Sequence, residues 1–99
     1  MSYTKQQIIT DIDAYMRQHG SPNSTWYVGI ASDARDRLFN DHNVNEKSGV
    51  WIFRQAISSS VAREVEKAYL DAGCDGGSGG GDASTIYVYA YRKTNSTNP

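Results

Sequence analysis

The sequence predicts an α+β domain, a small, mainly antiparallel three-stranded sheet flanked by three helices. Three observations predict it. Apolar residues recur at helical spacing over 4–19 and again after Ser58–Ser60. Runs rich in β-branched and aromatic residues occupy 25–30, 49–57 and 85–91. The segments between them are short and polar, which suits helices laid over a single sheet. The order reads helix, strand, helix, strand, helix, strand, with no internal repeat and no linker. Ninety-nine residues therefore make one domain, 1–99, large enough for a modest core without disulfide staples.

The first helix, 4–19, opens on a capping-box pattern, Thr4 with Gln7, and carries Ile8, Ile9, Ile12, Tyr15 and Met16 on one face. Gly20 is a natural C-terminal stop, and Ser21-Pro22-Asn23 forms the turn after it. Thr25 to Ile30 follows as a strand. Ser32 or Asp33 then caps a short helix with Ala34, Leu38 and Phe39 as its apolar side. Asn40–Ser48 reads as loop and Gly49–Ile57 as a buried strand. Three serines, Ser58 to Ser60, supply N-caps for a helix that ends near Ala72 and carries Val61, Val65, Ala68 and Ala72 on one face, widened by Ala62, Tyr69 and Leu70. Residues 85–91 alternate strictly, with Tyr87, Tyr89 and Tyr91 on one face and Ile86, Val88 and Ala90 on the other. The polar stretch 93–99 reads as a frayed tail.

Composition narrows the function classes. An apolar fraction of 38% with two Trp, seven Tyr and two Phe gives enough core mass to exclude disorder. The lone Cys74 has no internal partner, and the residues after Met1 lack a signal-peptide core, so a cytoplasmic protein is expected. No apolar run approaches the roughly 20 residues that span a bilayer, so no membrane partner is expected. Ten Lys plus Arg against eleven Asp plus Glu give a charge of -1, which argues against a generic polyanion binder.

The most informative stretch is Tyr27-Val28-Gly29, followed by a helix bearing Arg35 and Arg37, then Asp41-His42-Asn43 and Val65-Glu66-Lys67-Ala68-Tyr69-Leu70. It resembles the GIY-YIG nuclease family over roughly residues 25–72. There a strand ending in Tyr-hydrophobic-Gly turns into a helix, and the arginine ten positions after the tyrosine falls on Arg37. The family histidine usually follows that arginine by four residues, whereas His42 follows by five. The family's third-helix pattern points to Glu66 as the metal ligand. Two elements of the family pattern are missing. No Gly-Ile-Tyr strand precedes Tyr27, and the glycine-rich stretch 73–81 runs through the place of the family's asparagine. A permuted arrangement, in which the last strand lies beside the Tyr27 strand, would let Tyr87, Tyr89 or Tyr91 replace the missing tyrosine.

The resemblance implies a metal-dependent endonuclease that hydrolyses DNA phosphodiester bonds. Glu66 would hold a single Mg²⁺ or Mn²⁺, and Arg37 would fork onto the scissile phosphate. Tyr27 would orient or deprotonate the water, its pKa lowered by Arg37, Arg35 or the metal, and His42 would shuttle a proton. Arg35, Arg54, Arg63 and Lys67 would contact DNA. The same residues have plain structural readings: a packed strand tyrosine, a salt-bridged helix face around Arg35 and Arg37, a loop histidine, and an exposed helix edge at Glu66. The alternative function is an inactive nuclease-like domain that binds protein or nucleic acid as an inhibitory or regulatory module. The 73–81 stretch holds six of nine glycines, yet no lysine or helix follows it, so it is a connector and not a P-loop.

Overall fold

The computed structural model describes residues 1–77 and 81–99. Helix α1, Lys5–His19, starts at Thr4, whose hydroxyl accepts the Gln7 N–H while its own N–H donates to the Gln7 side chain. It stops at Gly20, whose φ of 67° lets its N–H close back on Met16. Strand β1, Trp26–Ala31, leads to α2, Ala34–Asp36, capped by the Asp33 carboxylate. The expected loop from Asn40 begins later, because α2 runs straight on into a π-helical stretch, Arg37–Asp41. Strand β2 is Trp51–Gln55. Helix α3, Ser59–Asp71, is capped by Ser58, and strand β3 is Tyr87–Arg92. Among the described residues no helix is long and apolar enough to cross a membrane.

The three strands form one antiparallel sheet in the order β1-β3-β2, so the last strand is the central one. Its register sets Tyr91 against Tyr27 and Trp51, Tyr89 against Gly29 and Phe53, and Tyr87 against Ala31 and Gln55. A central strand is buried on both faces, which explains the apolar and aromatic sets that alternate along it. On one face, Val88 and Ala90 meet Trp26, Val28, Ile30 and Ile52 beneath α1 and α3, which insert Ile8, Ile12, Met16, Ala62, Val65 and Tyr69. Each fully buried aliphatic side chain there contributes about 1.5–3 kcal/mol. On the other face, Tyr27, Tyr89 and Tyr91 lie under Ala34, Leu38 and Val44, with Phe39, Trp51, Phe53 and Tyr87 at the rim.

Both sheet edges are covered. Asp75 takes the outer edge of β1, donating to Trp26 O and accepting from Val28 N–H. Tyr3 does the same beside β2, donating to Gln55 O and accepting from Ile57 N–H. Such partners remove the open edge that would otherwise pair with another chain. Of the glycine-rich connector, 78–80 lie outside the described residues, whereas Gly76 packs so closely that a Cβ there would come 2.7 Å from Val28 O. The 93–99 tail, expected to fray, is held by its own Thr94–Thr97 turn and by Asn98 N–H donating to His42 O at 2.7 Å.

One contact fixes the spacing of the tyrosine face. A Cβ at Gly29 would collide with the Tyr89 hydroxyl and ring, so glycine is the residue that lets Tyr89 lie flat across β1. Gly29→Ala overpacks this contact and is expected to destabilise the fold by about 1–3 kcal/mol. The unfolding midpoint in urea should fall with an unchanged m-value; an unchanged midpoint would show that Tyr89 is not held there.

Candidate functional site

The site is assembled where α2 passes over the tyrosine face. The π-helical stretch closes with His42 N–H donating to Arg37 O at 2.8 Å, an i to i+5 ring. An α-helix brings residue i+4 back to the same face. The wider π turn takes one more residue to do so, and that is the fifth position His42 occupies. Asn43 then adopts φ 56°, a left-handed turn that asparagine tolerates. Widened helix and turn together seat His42, 6% exposed, against the tyrosines.

His42 is bonded on both sides of its ring. Nδ1 lies 2.6 Å from the Asn98 carbonyl oxygen, and Nε2 lies 2.8 Å from the Tyr89 hydroxyl. The Tyr91 hydroxyl is 3.1 Å from Nδ1. The Tyr27 ring packs on His42 with centroids 4.5 Å apart and stacks on Tyr91 at 5.2 Å. Arg37 reaches Asp41 at 3.4 Å and lies near enough to the Tyr89 hydroxyl to feel it electrostatically. Of the three candidate replacement tyrosines, Tyr89 and Tyr91 belong to this cluster. Tyr87 stands at the rim, edge-on to Phe53.

Burial dominates the electrostatics. It raises the Tyr27 pKa against the Gly77 N–H and Arg37, which pull it down; Asp75 and Glu66 push it further up. Tyr89 is pushed up to about 12, by burial first and then by Tyr27, despite the positive charge of nearby Arg37. The expectation that Arg37 or Arg35 would acidify Tyr27 is therefore corrected. Arg37 acts in that direction but is outweighed, and Arg35 is occupied by Glu46. Burial also lowers the His42 pKa, so His42 is neutral at pH 7. Enclosed and neutral, it is placed as a support behind Tyr89 and not as an exposed proton shuttle.

Glu66, on α3, is felt electrostatically by both Tyr27 and Tyr89, so it faces the same cluster as Arg37. Burial raises its pKa and Arg63 opposes that rise. Among the described residues Glu66 makes no ion pair or hydrogen bond. A half-buried carboxylate without a partner suits a hard divalent cation, which needs only one or two carboxylates alongside water and phosphate oxygens. Among the described residues no group of three or more His, Cys, Asp or Glu gathers as a ligand set. Glu66 would thus be the single protein carboxylate of such a site.

The predicted DNA contacts divide. Arg63 lies beside Glu66 and donates to Gly81 O at 2.6 Å. Arg35 pairs with Glu46 and lies over the Phe39 and Trp51 rings, 5.2 and 5.9 Å from their centroids. Arg54 pairs with Asp11 at 3.0 Å, on the face that α1 covers, away from Arg37. Lys67 pairs with Asp71 at the surface. A cavity of about 240 Å³ opens beside Arg37, lined also by Ser32, Asp33, Asp36 and Thr85. Neither Tyr27 nor Glu66 lines it. Sequence reasoning missed Asn98, Gly77 and the edge-bound Asp75. The first two act through the backbone and leave no side-chain signal.

With this geometry in view, the chain was compared with protein-family models, with characterised proteins and with solved structures, and none matches.

The raised Glu66 pKa has a stability consequence. The folded chain holds this proton more tightly than the unfolded chain. The contribution is therefore fully present below the ordinary carboxylate pKa and is lost as pH rises through the folded value. Glu66→Gln is expected to melt higher than the unmodified chain at pH 7–8, with the gap closing near pH 4. Thermal unfolding at the two pH values checks it. A variant that melts lower at pH 7 would show that the carboxylate is stabilised by something other than water.

Proposed function

We propose that the chain is a metal-dependent endonuclease of the GIY-YIG type, acting on DNA. The observation that supports this reading is electrostatic: Tyr27 feels both Arg37 and Glu66, which come from separate helices. Three features add support. The central strand presents Tyr89 opposite Gly29 of the Tyr-Val-Gly strand. The π turn accommodates the fifth-position histidine. Glu66 is left without a protein partner among the described residues.

The chemistry is assigned as follows. Arg37, half-exposed, binds the scissile phosphate and neutralises charge that builds on its oxygens. Glu66 would hold Mg²⁺ or Mn²⁺, which when bound supplies further charge neutralisation and a more acidic water. Tyr27 keeps its proton at neutral pH, so its hydroxyl orients the attacking water by hydrogen bonding. His42 holds the Tyr89 hydroxyl beside this site. The glycine connector contributes the Gly77 N–H that holds the Tyr27 hydroxyl.

A second reading, an inactive module that binds protein or nucleic acid, is favoured by one observation. Arg35, Arg54 and Lys67 are each matched by an acidic partner, leaving little surplus positive surface. Supercoiled plasmid incubated with Mg²⁺, Mn²⁺ or EDTA separates the two. The nuclease nicks the plasmid only with metal. Arg37→Ala lowers the rate by about 100-fold or more, as loss of a transition-state donor does, and Glu66→Gln abolishes the metal-dependent nicking. DNA affinity should fall only shallowly with salt, each phosphate contact adding about 0.9 to the logarithmic slope. Binding without nicking supports the inactive module. Metal-independent nicking that survives both substitutions overturns the site assignment.

A further inference from the structure

We propose that the rim aromatics of the tyrosine face form a stacking ledge for unpaired bases, so that the chain binds a single DNA strand beside Arg37. The meaning of Arg37 rests on the nuclease reading; the ledge rests on its own geometry. Trp51 and Phe53 are two apart on β2 and so share a face. Their rings lie within 10° of parallel, with centroids 6.0 Å apart. Tyr87, on the neighbouring strand, stands edge-on to Phe53 at 6.1 Å, and Phe39 stands edge-on to Trp51 at 5.0 Å. All four are only partly buried against the core beneath them. The indole is pinned, its Nε1–H donating to Glu46 O at 3.0 Å. Held in place and open on their outer side, such rings accept bases of any sequence, because every base has a π face.

Three observations choose the occupant. Arg35 already lies over the Phe39 and Trp51 rings, so the ledge carries its own cation and does not suit a quaternary ammonium. The pair with Glu46 engages one guanidinium nitrogen and leaves the others for a phosphate or for stacking on a base. Second, the backbone edge beside the ledge is taken at both ends. Trp51 N–H donates to the Tyr15 hydroxyl at 3.0 Å and Gln55 O accepts the Tyr3 N–H, which disfavours an added peptide strand. Third, the ledge adjoins the Arg37 cavity. A cavity of about 370 Å³ lies between Phe53, Tyr87 and Arg35, and it shares Ser32 and Asp33 with the cavity of about 240 Å³ at Arg37. At that junction the Asp33 and Asp36 carboxylates repel phosphate and leave the place to a base, with phosphates toward Arg35 and Arg37. A duplex keeps its base faces stacked inside and cannot use the ledge.

Titration of the full chain with DNA in EDTA, read by tryptophan fluorescence, tests this apart from cleavage. Of the two tryptophans Trp26 is fully buried, so quenching by a stacked base reports on Trp51. A short oligothymidylate should quench it and bind about tenfold more tightly than the same strand paired with its complement. Phe53→Leu keeps an apolar side chain on the core and should weaken strand binding about tenfold, as loss of one stacking ring does, whereas Phe53→Tyr keeps the affinity. Tyr87→Leu, on the other strand, should give a like loss. Absence of quenching, equal or tighter binding of the duplex, or leucine variants that bind like the unmodified chain would overturn the proposal. So would sedimentation showing that the ledge instead joins two copies of the chain in a Phe53-dependent dimer. A chain that binds and is quenched by single strands but nicks no plasmid with metal retains the ledge and loses the nuclease reading. One that nicks plasmid but ignores single strands does the reverse.

Discussion

The tyrosine face depends on one fit: the Tyr89 ring laid over Gly29. β3 lies between β1 and β2, and its residues are shared by both neighbours, so a shift of Tyr89 would disturb both ladders at once. The absence of a side chain at Gly29 sets how near the ring lies to β1. From that position its hydroxyl meets His42 Nε2 at 2.8 Å. Packing on this face therefore dictates hydrogen bonding, and the bond holds His42 against the tyrosines.

The burial that builds this arrangement also constrains its chemistry. Tyr27, Tyr89, His42 and Glu66 are all shifted toward their neutral forms by exclusion of water. Arg37 is the exception, a permanent cation at the half-exposed edge of an enclosed neutral cluster. A phosphate approaching it meets one strong charge backed by oriented dipoles. Such a group needs little reorganisation when negative charge develops. The acidic contribution, Glu66, comes from a different helix.

Much of this was legible in the chain because it is written in side chains with a period. The capping box at Thr4, the glycine stop at 20, the serine cap at 58 and the alternation over 85–91 each specify an element. The joint appearance of Tyr27, Arg37 and Glu66 gave the core of the candidate site. What stayed hidden is carried by the backbone. The π turn has no composition of its own, so the region after Asn40 looked like loop. The Asn98 carbonyl and the Gly77 N–H are groups that every residue but proline possesses, and only the fold selects them. The partner of Arg54 also escaped the sequence. Strand alternation turns Arg54 toward Asp11 and the helical face.

The central place of β3 has a consequence for how the molecule comes into being. β1 and β2 share no ladder of their own; among the strands, each pairs with the one that arrives after both. A growing chain can form α1 and α3 from local contacts, but its sheet must wait until Tyr87–Arg92 has been made. Pairings between residues so distant in sequence carry a loop-closure entropy that slows assembly. Until then two aromatic strands stand unpaired, and this interval, more than the finished fold, is when the chain is exposed to mispairing with its neighbours.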